Sequence, residues 1–203
     1  MTQAVWWREE PLTEDEQKLI VEMTASHHKS AYRNNASSLA VVNAALASGD
    51  LSKAIVAGIM NLGEKHAPLE QTYRFLCLEH PQKNVNWALE VGEHVPGWGN
   101  SFVKGESDPL WIGVHEILLK SFPEMAAKLD RVTEQLHARG KKIYPNPSAY
   151  TAATAIILQL PPKVAVYLFI RGRLDAWTHL AVRTAIMHIE PMKGEVKPSD
   201  TEL

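Results

Sequence analysis

Five short stretches of this chain carry side chains that could do chemistry. In "ASHHKSAYR", His27 and His28 sit side by side near the end of a helical pattern. Neighbours on a helix point about 100° apart, so the two cannot chelate one metal as an i, i+4 pair would. Polar residues at a helix C-terminus are the plain reading. In "GIMNLGEKHAPLE", His66 lies between a helix that stops at Gly63 and one that Pro68 starts. A histidine there can reach the positive end of the following helix dipole. That favours the neutral imidazole and suits it to donate a hydrogen bond to a carbonyl oxygen; a surface loop histidine is the even alternative.

In "KKIYPNPSAYTAA", Ser148 stands at a helix start with no base beside it, which fits a capping or first-turn role. In "VAVYLFIRGRLDAWTHLAV", Arg171, Arg173 and Asp175 interrupt an otherwise apolar helix. Arginines in so apolar a setting need a partner. That partner is either an internal aspartate or a ligand carboxylate held by the planar guanidinium fork. The fifth stretch, "VPGWGNSFVKGESDP", has glycines at 97, 99 and 105 that permit tight turns and close approach. It lacks the Gly-Lys-Ser/Thr of a phosphate cradle and by itself reads as an ordinary connection.

The elements that must position these residues read as helix after helix. Thr13 and Glu16 are spaced as a capping box before a stripe of Leu19, Ile20, Met23 and His27. Helices are expected over 36–47 and 52–62, ending at Gly49 and Gly63, and then from Pro68 to about His80. Asn84 is the expected cap of a short fifth helix, and Asp108-Pro109 the start of the next. Ser121 and Glu124 are spaced as a second capping box, before an amphipathic stretch that runs to Gly140. Asn146-Pro147 starts a helix that Pro161-Pro162 ends, and a long last helix is expected from about Lys163 to His188. No strand alternation and no internal repeat is visible. The pattern is all-α, with eight to ten helices.

Composition narrows the function. A chain of 203 residues can bury a sizeable core as one domain, or as a large one with a small one. A net charge of −2 without a basic stripe argues against nucleic acid. The single Cys77 cannot form an internal disulfide, which fits a reducing, cytoplasmic setting. The acidic N-terminus lacks a signal-peptide run, and the apolar run from Val164 to Ile170 is too short to cross a membrane. "HEILLK" lacks the second histidine of a zinc helix, so no metal site is expected.

In chain order, "ASHHK", "AGIMNLGEKHAP", "GWGNSFVKGESDPL", "IYPNPSAY" and "RLDAWTHL" resemble the citrate synthase family over most of residues 15 to 190. The family's corresponding segments are Ala-Asp-His-Glu, an Ala-Gly-Ile helix with Gly-Pro-x-His-Gly-Gly, and Gly-Phe-Gly-His-Arg-x-x-Lys with Asp-Pro-Arg. Tyr-Pro-Asn-Val-Asp-Phe-Tyr and an arginine before Gly-Trp-x-x-His complete the set. The resemblance places His28 on a substrate histidine, His66 on the enol-stabilising histidine and Arg173 on a substrate-carboxylate arginine. It makes Gly97, Gly99 and Lys104 acyl-CoA or substrate contacts. Asn100 stands where the family has a second catalytic histidine, Ser101 and Leu110 where it has arginines, and Ser148 where it has the catalytic aspartate. Ala67-Pro68 replaces Gly-Gly.

The resemblance implies an all-α citrate-synthase-like fold with a truncated large domain and a small helical domain. Residues 1–80 would be large-domain helices with dimer contact, 81–160 the small domain, 161–190 a returning helix and 191–203 a mobile tail. It implies a homodimer that binds a small carboxylate or an acyl-CoA, with a coenzyme A thioester as substrate and no tightly bound cofactor. A serine hydroxyl is not the base that thioester α-proton removal needs, and losing such a base typically costs about 10²–10⁴-fold. Efficient citrate synthesis therefore does not fit. Three alternatives remain: altered condensation, citryl-CoA lyase-like cleavage, and a non-catalytic interaction protein with Trp6 and Trp7 facing a partner.

Overall fold

Thr13 opens the first helix, α1 (Glu14–Ala31), by a reciprocal cap. Its hydroxyl accepts from the Glu16 N–H at 3.2 Å, and the Glu16 carboxylate accepts from the Thr13 N–H at 2.7 Å. Two helix-end donors are thereby satisfied at once. Asn35 caps α2 (Ala36–Ser48), which ends at Gly49 in the left-handed conformation, and Asp50 caps α3 (Leu51–Met60). There follow α4 (Leu69–Leu76), α5 (Pro81–Glu90), α6 (Ile112–Ser121), α7 (Pro123–Ala138), α8 (Pro147–Ile157) and α9 (Val166–Ile189). Single 3₁₀ turns, Pro109–Trp111 and Pro162–Val164, lead into α6 and towards α9. The computed structural model describes residues 10–33, 35–63 and 67–189, and among these there is no strand. The all-α expectation holds there. His66, Trp6, Trp7 and the C-terminal tail lie outside the described residues.

Some boundaries differ from the sequence expectation. α4 stops at Leu76, short of His80. α5 starts at Pro81, so Asn84 lies inside the helix and caps nothing. Ser121 is the last residue of α6, and α7 begins at Pro123 with no side-chain cap. The reason is chemical: a proline at the first helical position favours a start there, because its φ is already helical and its missing N–H would have had no intrahelical partner. The last helix begins at Val166, after the 3₁₀ turn has taken up Lys163. Among the described residues, no helix is long and apolar enough to cross a membrane.

The core is two apolar clusters joined by two helices. The larger holds Leu19, Ile20 and Met23 of α1 with Trp111, Leu129, Leu136, Tyr150 and Leu168. The smaller holds Ala31, Val41, Ala54, Ala176, Trp177 and Ala181. α1 and α9 contribute to both, and they approach closely. A Cβ on Gly172 would lie 2.4 Å from the His27 Cβ, so only glycine fits. Ser30 on α1 and Arg173 on α9 therefore fall at the seam where each helix passes from one cluster to the other.

Candidate functional site

At that seam lies a cleft of about 240 Å³, lined by residues from α1, the turn before α4, the 99–102 loop, the start of α8, and α9. It is small beside the pockets of about 300–1,000 Å³ that hold drug-sized ligands. Arg173 dominates its chemistry. The side chain is 3% exposed and its guanidinium carbon lies 4.2 Å from the Phe169 ring centre, one helical turn back. Nη1 donates to Asn35 Oδ1 at 2.9 Å and Ser37 Oγ at 3.0 Å, and Nη2 donates to Ser30 Oγ at 3.1 Å. All three acceptors are neutral. Nε has no partner, and no carboxylate pairs with Arg173 among the described residues. Asp175, two residues along the same helix, is not its partner. Burial alone pushes its pKa down to about 9. The group thus stays charged at neutral pH while bearing the cost of an uncompensated buried cation.

A second arginine lines the same cleft. Arg33, just beyond α1, donates through Nη1 and Nη2 to the two oxygens of Asp108, the second contact at 2.9 Å. Asp108 is buried, caps the 3₁₀ turn through the Leu110 N–H, and also accepts from Asn100 Nδ2 at 2.8 Å. Asn100 Oδ1 takes the Phe102 N–H at 2.9 Å. The Asn100 amide is thus partly committed to bracing its own loop.

That loop is stapled to the start of α8. The Gly99 N–H donates to the Tyr144 carbonyl at 2.9 Å, the Asn146 N–H to the Gly97 carbonyl at 2.8 Å, and Asn146 Nδ2 to the Gly99 carbonyl at 2.9 Å. Asn146 also caps α8 by accepting from the Ser148 N–H at 2.8 Å, which puts Ser148 in the first turn.

Of the residues singled out from sequence, Arg173, Asn100, Ser148 and Gly99 line this one cleft. Ala67 and Pro68 line it too, and His66 immediately precedes them. Gly97 does not line it; it is pressed against Thr72 and Ala149. Lys104 lines a separate depression of about 130 Å³ with Lys142 and Tyr144. His28 is half-buried and packs edge-on against Tyr32, with ring centres 5.5 Å apart. His27 is fully buried. Because the Thr151 hydroxyl hydrogen is spent on the Pro147 carbonyl, His27 Nε2 must be the donor to Thr151 Oγ at 2.7 Å. Burial, and after it the charge of Arg173, pushes its pKa well down, so it is a neutral structural link from α1 to α8. Among the described residues, no Asp, Glu or His lines the cleft.

Arg33 and Ser30 escaped the sequence reading. Their signal was a polar stripe, Ser26, Ser30 and Arg33, at helical spacing on a face otherwise apolar.

Ala67 has φ +60, a conformation that costs an L-residue about 1–2 kcal/mol. Ala67→Gly is therefore expected to leave stability unchanged or raise it by up to about 1 kcal/mol, after the entropy glycine adds to the unfolded chain. Thermal denaturation checks this; a clear loss would show that the turn is not held as described.

The fold matches solved proteins. A citryl-CoA lyase from Hydrogenobacter thermophilus superposes with a TM-score of 0.71 at 23% identity, covering 87% of this chain and 72% of that one. The fold is that of the citrate synthases. A citrate synthase from Thermotoga maritima gives a TM-score of 0.69 at 22% identity, over 96% of this chain and 56% of that one. An ATP citrate lyase from Methanothrix soehngenii, in complex with citrate and coenzyme A, gives 0.72 at 16%, over 97% and 35%. This chain thus spans about half the length of that citrate synthase and about a third of the ATP citrate lyase. No family model matches the sequence. No curated protein matches it either. Among the described residues, the cleft of this chain is lined by neutral residues and two arginines.

Proposed function

We propose that this chain binds a carboxylate, free or carried on a coenzyme A thioester, in the cleft at Arg173, and that citrate condensation is lost or altered. The observation that carries the reading is the buried Arg173 cation, which among the described residues is hydrogen-bonded only to neutral groups and has Nε unpartnered. A carboxylate would supply the missing counter-charge through a charge-assisted contact. The ATP citrate lyase of the same fold holds citrate and coenzyme A, which supports this class of ligand. A depression of about 520 Å³ adjoins the cleft across Ala67 and Pro68, with Arg74 and Lys163 on its walls, room for the remainder of a thioester.

Condensation needs a base for the α-proton and a proton donor for the keto-acid oxygen. Ser148 and Asn100 supply neither; Ser148 offers a hydroxyl and Asn100 its remaining amide hydrogen, both able to hold an oxygen in place. Lyase-like C–C cleavage is the second reading, supported by a citryl-CoA lyase of the same fold. The exposed apolar residues Leu39, Leu46, Leu51, Val56 and Met60 of α2 and α3 support a homodimer contact on these helices as part of the proposal.

Thermal denaturation with citrate, oxaloacetate and coenzyme A tests the reading. A ligand at a hundred times its Kd adds about 2.7 kcal/mol. For a chain of this size that shifts Tm by about 5–10 °C. No shift with any of them would overturn it.

A further inference from the structure

We propose that Arg33 is a second ligand-binding cation of the cleft and the residue that makes it prefer dicarboxylates. This rests on the reading that a carboxylate sits at Arg173. Arg33 and Arg173 line the same cleft of about 240 Å³, small enough for one short acid to touch both. Asp108 does not close off Arg33. It takes one hydrogen from each terminal nitrogen, so the guanidinium keeps its Nε–H and a further hydrogen on each terminal nitrogen. The Arg33 side chain is 27% exposed while Asp108 is 1% exposed, so the carboxylate is the fixed post and the arginine its open face.

The post is itself over-held. Asn100 Nδ2 and the Leu110 N–H donate to the same two oxygens, and Asp108 is locked at the head of the 3₁₀ turn. The Phe102 ring, 5.8 Å from the guanidinium carbon, flanks Arg33 from the loop side. The result is an arginine held in one orientation before any ligand arrives, the condition under which a bidentate contact costs least to form. One carboxylate on Arg173 and a second on Arg33 would span the seam from α9 to α1. The cleft also presents Ser148, whose hydroxyl can donate to a ligand, while the side-chain hydrogens of Asn35 and Ser30 are spent on backbone carbonyls.

Calorimetric titration with succinate and with butyrate, acids of equal chain length, separates the two arginines. The wild type is expected to bind succinate about tenfold more tightly or better, as a charge-assisted contact implies. Arg33→Met combined with Asp108→Asn removes the cation without stranding a buried carboxylate. It should abolish the preference while leaving butyrate affinity within about threefold. Arg33→Lys keeps the charge but loses the fork and should reduce the preference in a protein with little else changed. A wild type that binds both acids equally, or a preference that survives in both variants, would overturn the role of Arg33 alone. A folded wild type that binds neither acid would overturn the carboxylate reading and this inference with it.

Discussion

Arg173→Met is expected to abolish carboxylate binding while leaving the protein folded. Truncating one partner of a buried charge pair costs about 2–5 kcal/mol of affinity, at least about thirtyfold. The effect on stability should be small and of opposite origin. In the free protein Arg173 is a desolvated cation with neutral partners, and methionine fills similar space without that penalty. Its acceptors are not left stranded: Asn35 Oδ1 also receives the Ser38 N–H at 3.1 Å and the Ser37 hydroxyl at 2.8 Å. A variant that denatures at or above the wild-type temperature yet no longer binds would mark Arg173 as a residue kept for its ligand. The pH dependence has the same sign. The folded-state pKa of about 9 lies below the ordinary arginine value, so the unfolded chain binds the extra proton between the two. Stability of the free protein should therefore rise as the pH passes above about 9, and Arg173→Met should remove that rise.

Gly97→Ala is expected to be the most destabilising single-methyl change in the loop, by about 2–4 kcal/mol. Gly97 has φ +87, which an alanine adopts only under strain. Its Cβ would lie 2.5 Å from the Thr72 methyl and 3.1 Å from the Ala149 Cβ. Thr72 cannot turn away without cost, because its hydroxyl is bound to the Pro68 carbonyl at 2.7 Å. Overpacking of this kind costs about 1–3 kcal/mol, and the backbone adds to it. Gly99→Ala is the comparison: φ is +91, but nothing lies within 4 Å of the added atom. Denaturant unfolding should rank Gly97→Ala well below Gly99→Ala. Equal losses would mean that the loop does not press on α4 and α8.

These two glycines also show how far the sequence could be read. Both were legible as a turn, and only their neighbours separate a packing glycine from one on the cleft. Helix starts were legible where a cap or a proline acts locally, as at Thr13, Asp108-Pro109 and Asn146-Pro147. Asn84 misled because Pro81 had already started its helix, and Ser121 because the preceding helix runs through it and Pro123 starts the next. Arg173 stood out because a charge in an apolar helix demands explanation. Arg33 did not, because its partner Asp108 lies 75 residues further along the chain and no local pattern joins them.

Isothermal titration of citrate, oxaloacetate, acetyl-CoA and coenzyme A into the wild type and Arg173→Met tests the carboxylate site at Arg173 most directly. At least one carboxylate-bearing ligand is expected to bind the wild type with micromolar affinity, with its heat lost in the variant. A folded wild type that binds none of them, or binding that Arg173→Met leaves intact, would contradict it.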